Sequence, residues 1–116
     1  MKKKASVLLA GFSPNARMEI ERHLTNHSVS TAGGLTDVRH KMVGKEFDIL
    51  LINADAFSNN DIYITHQLQS EKGRHTIAVH GNKSKRRPIK LDRLVFLPMK
   101  KVARHLPVVM SECSTI

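Results

Sequence analysis

Cysteine is almost missing from this chain. The single thiol, Cys113, cannot close an internal disulfide, so no covalent staple holds the fold and a reducing compartment is the natural setting. There is no tryptophan, and aromatic residues make up 4% of the chain, so the core must be mainly aliphatic. Long hydrophobic runs are absent as well. Residues 7–12 form a run of apolar or small residues behind a basic start, well short of the roughly 18 that a membrane span needs. The run also lacks the length and small-residue cleavage site of a secretory signal. The expectation is a soluble, cytoplasmic protein with no membrane partner. No glycine-rich phosphate loop is present: Gly33-Gly34 and Gly81 are isolated. Ser13, directly before Pro14, reads as a helix cap rather than a nucleophile, and no Gly-x-Ser-x-Gly elbow occurs. No catalytic constellation and no cofactor are implied.

What remains is 116 residues with 41% hydrophobic content, enough for one core and a single domain over residues 1–116. Net charge is +9 and unevenly spread. Residues 83–104 hold nine basic side chains against one acid, Asp92, for a local +8. Apolar runs alternate with helical spacings. Residues 7–10 suit a buried strand. Pro14 opens a helix with Arg17, Ile20 and Leu24 on one face, fading near Asn26-His27. Residues 29–32 form a short strand, and Thr36 can cap a helix carrying Val38 and Met42 that Gly44 ends. Residues 47–53 are the clearest strand, unbroken as expected where helices cover both faces of a parallel sheet. A helix with Ile64 and Leu68 follows and Gly73 breaks it. Strands are expected at 76–79 and 94–97. Between them lies a polar basic stretch, interrupted by Pro88, where no stable long helix is expected. The tail has Val102, Leu106 and Met110 at helical spacing, with Pro107 predicting a bend or two short turns. The alternation argues for a parallel sheet covered on both sides.

Several of these segments resemble a known family. Residues 47–53, Phe-Asp-Ile-Leu-Leu-Ile-Asn, are similar to the third strand of response-regulator receiver domains, Phe-Asp-Leu-hydrophobic-Leu-Leu-Asp. Residues 7–14 resemble the family's first strand with its acidic pair, and Arg17, Ile20 and Leu24 fall where its first helix has Arg, Leu and Leu. Residues 75–81 resemble its fourth strand and 96–100 its fifth. The likeness runs over nearly the whole chain and rests on spacing and hydrophobic pattern. It implies a flavodoxin-like (βα)5 fold of the doubly wound α/β class. That fold is a parallel five-stranded sheet of order 2-1-3-4-5 with its site at the carboxyl ends of the strands, here with a degenerate fourth helix.

The same resemblance implies where phosphoryl chemistry would sit, and the residues there depart from it. Gly11 and Phe12 replace the acidic pair, so neither side chain can ligate magnesium. Asn53 stands at the phosphoacceptor, His80 at the hydroxyl position and Met99 at the lysine, with Lys100 one position away. Phe96 keeps the switch aromatic. Losing the metal ligands and the nucleophile together removes both parts needed for phosphoryl transfer. The chain therefore reads as a degenerate pseudo-receiver, a non-enzyme with no metal. Asp55, two residues past Asn53, is the one candidate for a displaced acceptor, and its ordinary reading is a loop or capping residue.

The expected partner-binding residues are Lys83, Lys85, Arg86, Arg87, Lys90, Arg93, Phe96, Lys100, Lys101 and Arg104. They could meet an acidic protein in a signalling or transcriptional system, a second copy of the chain, or nucleic acid phosphates. The ordinary alternative is a solvated basic loop. A protein partner ranks above nucleic acid, because residues 82–95 contain no aromatic for base stacking. Lys2, Lys3 and Lys4 read as a solvated start. His23 and His27, four apart, would share a helical face, but no third metal ligand is evident and exposed histidines near a helix end are the plainer reading. His80 is a candidate pH-sensitive group. Whether the chain is the amino-terminal part of a longer regulator stays open.

Overall fold

The structure, a computed structural model, describes residues 5–81 and 91–113, without the side chains of 103 and 109–113. The expectations for the amino-terminal lysines, for the fourth-helix region at 82–90 and for the Met110 side chain lie outside these residues.

Five parallel strands form one sheet in the order β2-β1-β3-β4-β5, the order implied by the resemblance. They are β1 (Ser6–Ala10), β2 (Ser28–Ala32), β3 (Ile49–Asn53), β4 (His75–His80) and β5 (Leu94–Pro98). Among the described residues four helices connect or follow them: α1 (Pro14–Glu21), α2 (Leu35–Val43), α3 (Asn59–Ser70) and α4 (Val102–Cys113), the last entered through a 3-10 turn at Met99–Lys101. Side chains of a strand alternate between its two faces, so an unbroken apolar strand feeds two cores at once. Val7, Leu9, Ile49, Leu51, Ile77 and Val79 join Ile20 of α1 and Val102 and Leu106 of α4 on one side. Leu8, Ala10, Leu50, Ile52 and Ala78 join Val38 and Met42 of α2 and Ile62 of α3 on the other. The sheet is thus covered on both faces.

Local chemistry sets most element starts. Ser13 caps α1, its Oγ accepting from Ala16 N at 3.3 Å, and Pro14 occupies the first turn. Ser58 caps α3 in the same way through Asp61 N at 3.1 Å. In α2 the expectation of a Thr36 cap is corrected. Gly34 is the capping residue, and the Asp37 carboxylate inside the first turn accepts from Gly33 N at 2.8 Å. A carboxylate there also complements the positive helix end.

α1 ends at Glu21, short of the expected Asn26-His27. Three-residue turns follow, with His23 N to Ile20 O at 3.0 Å, Leu24 N to Glu21 O at 3.0 Å and His27 N to Leu24 O at 2.9 Å. These turns still bury Leu24 while returning the chain to β2. His23 and His27 consequently do not share a helical face. His27 Nδ1 instead accepts from Ala5 N at 3.0 Å, tying this corner to the start of β1.

The buried stripe of α3 also differs from expectation. Ile62, Thr65, His66 and Gln69 are buried, while Ile64 and Leu68 are half-buried. The polar members are held by partners, with Gln69 Oε1 alone among their side-chain polar atoms buried without one. Gln69 Nε2 donates to Phe47 O at 3.2 Å and His75 O at 3.1 Å. His66 Nε2 donates to Asp92 O at 2.8 Å, and its Nδ1 meets the Thr76 hydroxyl at 2.9 Å. These bonds offset the cost of burying polar groups. Of the bent helix or two short turns expected around Pro107, α4 takes the form of one helix that runs through the proline. A proline removes one backbone donor, and here burial of Val102 and Leu106 on the same helix outweighs that loss.

Candidate functional site

In an all-parallel sheet every strand ends on the same edge, and the connection order reverses where β1 lies between β2 and β3. Ligand crevices of open α/β sheets form at that reversal. The structure brings Gly11 and Phe12 (after β1), Asn53 (end of β3), His80 (end of β4) and Met99 (after β5) to this edge, as their strand positions require.

The Asn53 side chain and the backbone of Gly11 hold the edge together. The backbone of Gly11 has φ +78°, a left-handed conformation that favours glycine. Its N–H donates to Ala32 O at 3.0 Å and its carbonyl accepts from Asn53 Nδ2 at 3.0 Å. Asn53 Oδ1 in turn accepts from Asp55 N at 3.0 Å. Both ends of the Asn53 amide are therefore spent on backbone partners, one in the β1 loop and one in its own. Ala54 N donates to Val79 O at 2.8 Å, and the Asp55 carboxylate accepts from Gly81 N at 2.7 Å. A Cβ at Gly81 would stand 2.6 Å from that carboxylate oxygen, so the approach depends on glycine. The loop after β3 is stapled to the loop after β1 on one side and to the end of β4 on the other.

Phe12 and Met99 are half-buried and lean on the α1/α4 core. The aromatic that closes over Gly11 is Phe57, which sequence reasoning missed. It is 4% exposed, and a Cβ at position 11 would stand 2.7 Å from its ring. The available signal was the juxtaposition of a glycine where the resemblance has an acid with a phenylalanine shortly after β3. His80 is half-buried at the rim, with its Nδ1 donating to Gly81 O at 3.1 Å. Asp55 is exposed and acts as a latch between two loops. Among the described residues, no cluster of three or more His, Cys, Asp or Glu side chains could hold a metal ion, and no helix is long and apolar enough to cross a membrane.

Among the described residues, the basic side chains of 83–104 do not form one patch. Lys83, Lys85, Arg86, Arg87 and Lys90 lie outside the described residues. Lys100, Lys101 and Arg104 are exposed together at the start of α4, on the carboxyl edge. Arg93 is exposed at the opposite end of β5, with φ +65°. Seven residues at about 3.3 Å each separate Arg93 from Lys100 along the chain. Phe96 packs against the α2/α3 core, on the sheet face away from α4.

At the amino edge, Arg74 pairs with Asp48 at 2.6 Å, and Asp48 also accepts from Ser6 N at 2.8 Å. His75 lies beside them, and burial together with the Arg93 charge holds its imidazole below the usual 6.5.

No protein-family model matches the chain, and no curated protein matches it in sequence. The fold is similar to part of the crystal structure of the Francisella novicida lysine decarboxylase LdcF, with a TM-score of 0.62 and 12% sequence identity. The match covers 99% of this chain and 18% of that one, so the chain spans under a fifth of the enzyme's length. At that identity the likeness shows the fold: a five-stranded, flavodoxin-like parallel α/β sheet.

Proposed function

We propose that this chain is a pseudo-receiver, a receiver-like regulatory module that takes no phosphoryl group and works by binding a partner. The observation that carries the reading is the Asn53 amide, with one end on Gly11 O and the other on Asp55 N. The residue at the phosphoacceptor position is neither a nucleophile nor free to bind a ligand. Phe57 lies where a side chain at position 11 would have to stand, and the nearby Asp55 carboxylate is committed to Gly81 N. The non-enzymatic role follows from that chemistry. The partner is an acidic protein surface of a signalling or transcriptional system, met by the basic side chains of residues 83–104. A single cysteine fits a cytoplasmic setting.

Incubation with a small-molecule phosphodonor and magnesium, followed by intact mass, tests the first half. The expected spectrum is unchanged, and addition of one phosphoryl group overturns the reading. Fluorescence anisotropy with labelled DNA and RNA across a salt series tests the second half. Tight binding that falls steeply with salt and is lost in an Arg86→Ala/Arg87→Ala/Lys90→Ala variant would replace the protein partner with nucleic acid.

A further inference from the structure

The two edges of the sheet are built differently. β5 is guarded: Pro98 within it lacks an N–H, Arg93 at its start breaks the extended line with φ +65°, and basic residues flank it in sequence. Prolines, charges and local distortions are the usual devices that keep an edge strand from pairing. β2, the opposite edge, has none of them. Residues 28–36, Ser-Val-Ser-Thr-Ala-Gly-Gly-Leu-Thr, contain no charge and no proline, and β2 pairs in unbroken register with β1 from Ser28 to Ala32.

The ladder shows which backbone groups face outward. Ser28 N donates to Ala5 O at 2.9 Å, and Ala32 O accepts from Gly11 N at 3.0 Å. Successive residues of a strand turn their backbone groups to alternate sides. Ser28, Ser30 and Ala32 therefore face β1, and the N–H and C=O groups of Val29 and Thr31 face away from the sheet. Among the described residues no strand lies beyond them.

We propose that β2 pairs antiparallel with β2 of a second copy of this chain, joining two five-stranded sheets into one of ten. A two-fold axis at Ser30 sets Val29 opposite Thr31 of the other copy and Thr31 opposite its Val29. All four outward groups on each side are then satisfied in two hydrogen-bonded pairs. Ser30 faces its own equivalent in the closely spaced position, where a small side chain is needed. Charge selects a second copy as the occupant. Residues 5–81 carry eight acids and seven bases and are nearly neutral, whereas 83–104 carry +8. Pairing through β2 puts the two β5 strands at opposite ends of the joint sheet, nine strand spacings or about 43 Å apart. That is about five Debye lengths at physiological salt, so Arg93, Lys100 and Lys101 at the ends of β5 are screened from those of the other copy. Pairing through β5, the other edge, would set them side by side. A five-residue edge contributes little area, so the dimer is concentration-dependent rather than obligate.

Sedimentation over a concentration series tests this in the full chain. Wild type should rise from the mass of one chain towards that of two. Thr31→Pro removes an outward N–H and spares the β1 ladder, and Ser30→Lys sets two like charges face to face. Both should stay monomeric with an unchanged circular-dichroism spectrum. Hydrogen exchange supplies a reading free of variants: the Val29 and Thr31 amides should be protected at high concentration and lose protection on dilution. A wild type that remains monomeric, a folded variant that still dimerises, or outward amides that exchange freely at high concentration would each overturn the proposal.

Discussion

Gly11 shows how a single residue can set the packing of two loops. Its positive φ alone would cost an alanine about 1–2 kcal/mol, and the Phe57 ring adds a steric conflict, with a Cβ 2.7 Å away. Gly73 provides a matched comparison, because it has φ +69° and open space around its Cβ position. Gly73→Ala should therefore lose only the conformational part. Gly11→Ala should lose more, about 2–4 kcal/mol in all, as the ring or the loop is displaced. Urea unfolding of both variants checks the difference, and equal losses would show that Phe57 gives way freely. Asn53 and Asp55 act at the same scale. Each is polar and sits where a ligand-binding residue would be expected, yet each bonds to backbone and so fixes the loop instead of reaching outward.

Among the elements, α3 and α4 depart most from what periodicity suggests. α3 turns His66 and Gln69 inward because the neighbouring backbone offers Asp92 O, Phe47 O and His75 O as acceptors, while the buried Thr65 hydroxyl donates within its own helix to Asp61 O and Ile62 O. Apolar spacing cannot reveal such acceptors, since they belong to distant segments. α4 tolerates Pro107, whose side chain is exposed. A proline in a helix interior costs about 3 kcal/mol relative to alanine. Pro107→Ala should therefore stabilise the fold by about 1–3 kcal/mol, seen as a higher thermal midpoint with unchanged or greater helical signal. A lower midpoint would show that the proline is needed for the packing of Leu106 or of the turn at Met99–Lys101.

For the whole molecule, folding is linked to protons through His75. Its imidazole is held below the usual value, first by burial and then by the Arg93 charge, with Asp92 opposing. The unfolded chain therefore binds this proton more readily than the folded one, and stability rises with pH across the interval. The contribution is complete above about 6.5 and is lost as pH falls from there towards the folded-state value. His75→Gln should flatten that part of the profile of urea midpoint against pH. A slope equal to wild type would assign the dependence to other groups. The origin of the fold and of the site divides along the same line of scale. Apolar strands at residues 7–10, 47–53 and 76–79, a Ser13-Pro14 start and glycine stops are local signals. Alternation of strand and helix then leaves few ways to cover a parallel sheet, so the architecture was legible in the residues, while the strand order was what the resemblance implied. That Gly11, Phe12 and Asn53 stand at the carboxyl ends of β1 and β3 was legible too, because each directly follows or closes an apolar run. Only the tertiary structure decided that Phe57 closes over Gly11, that Asp55 latches to Gly81, that His27 serves Ala5, and that Arg93 and Lys100 lie at opposite ends of β5. Each of these is a meeting of segments separated in the chain, set by sheet register and loop path, and no local pattern encodes such a meeting.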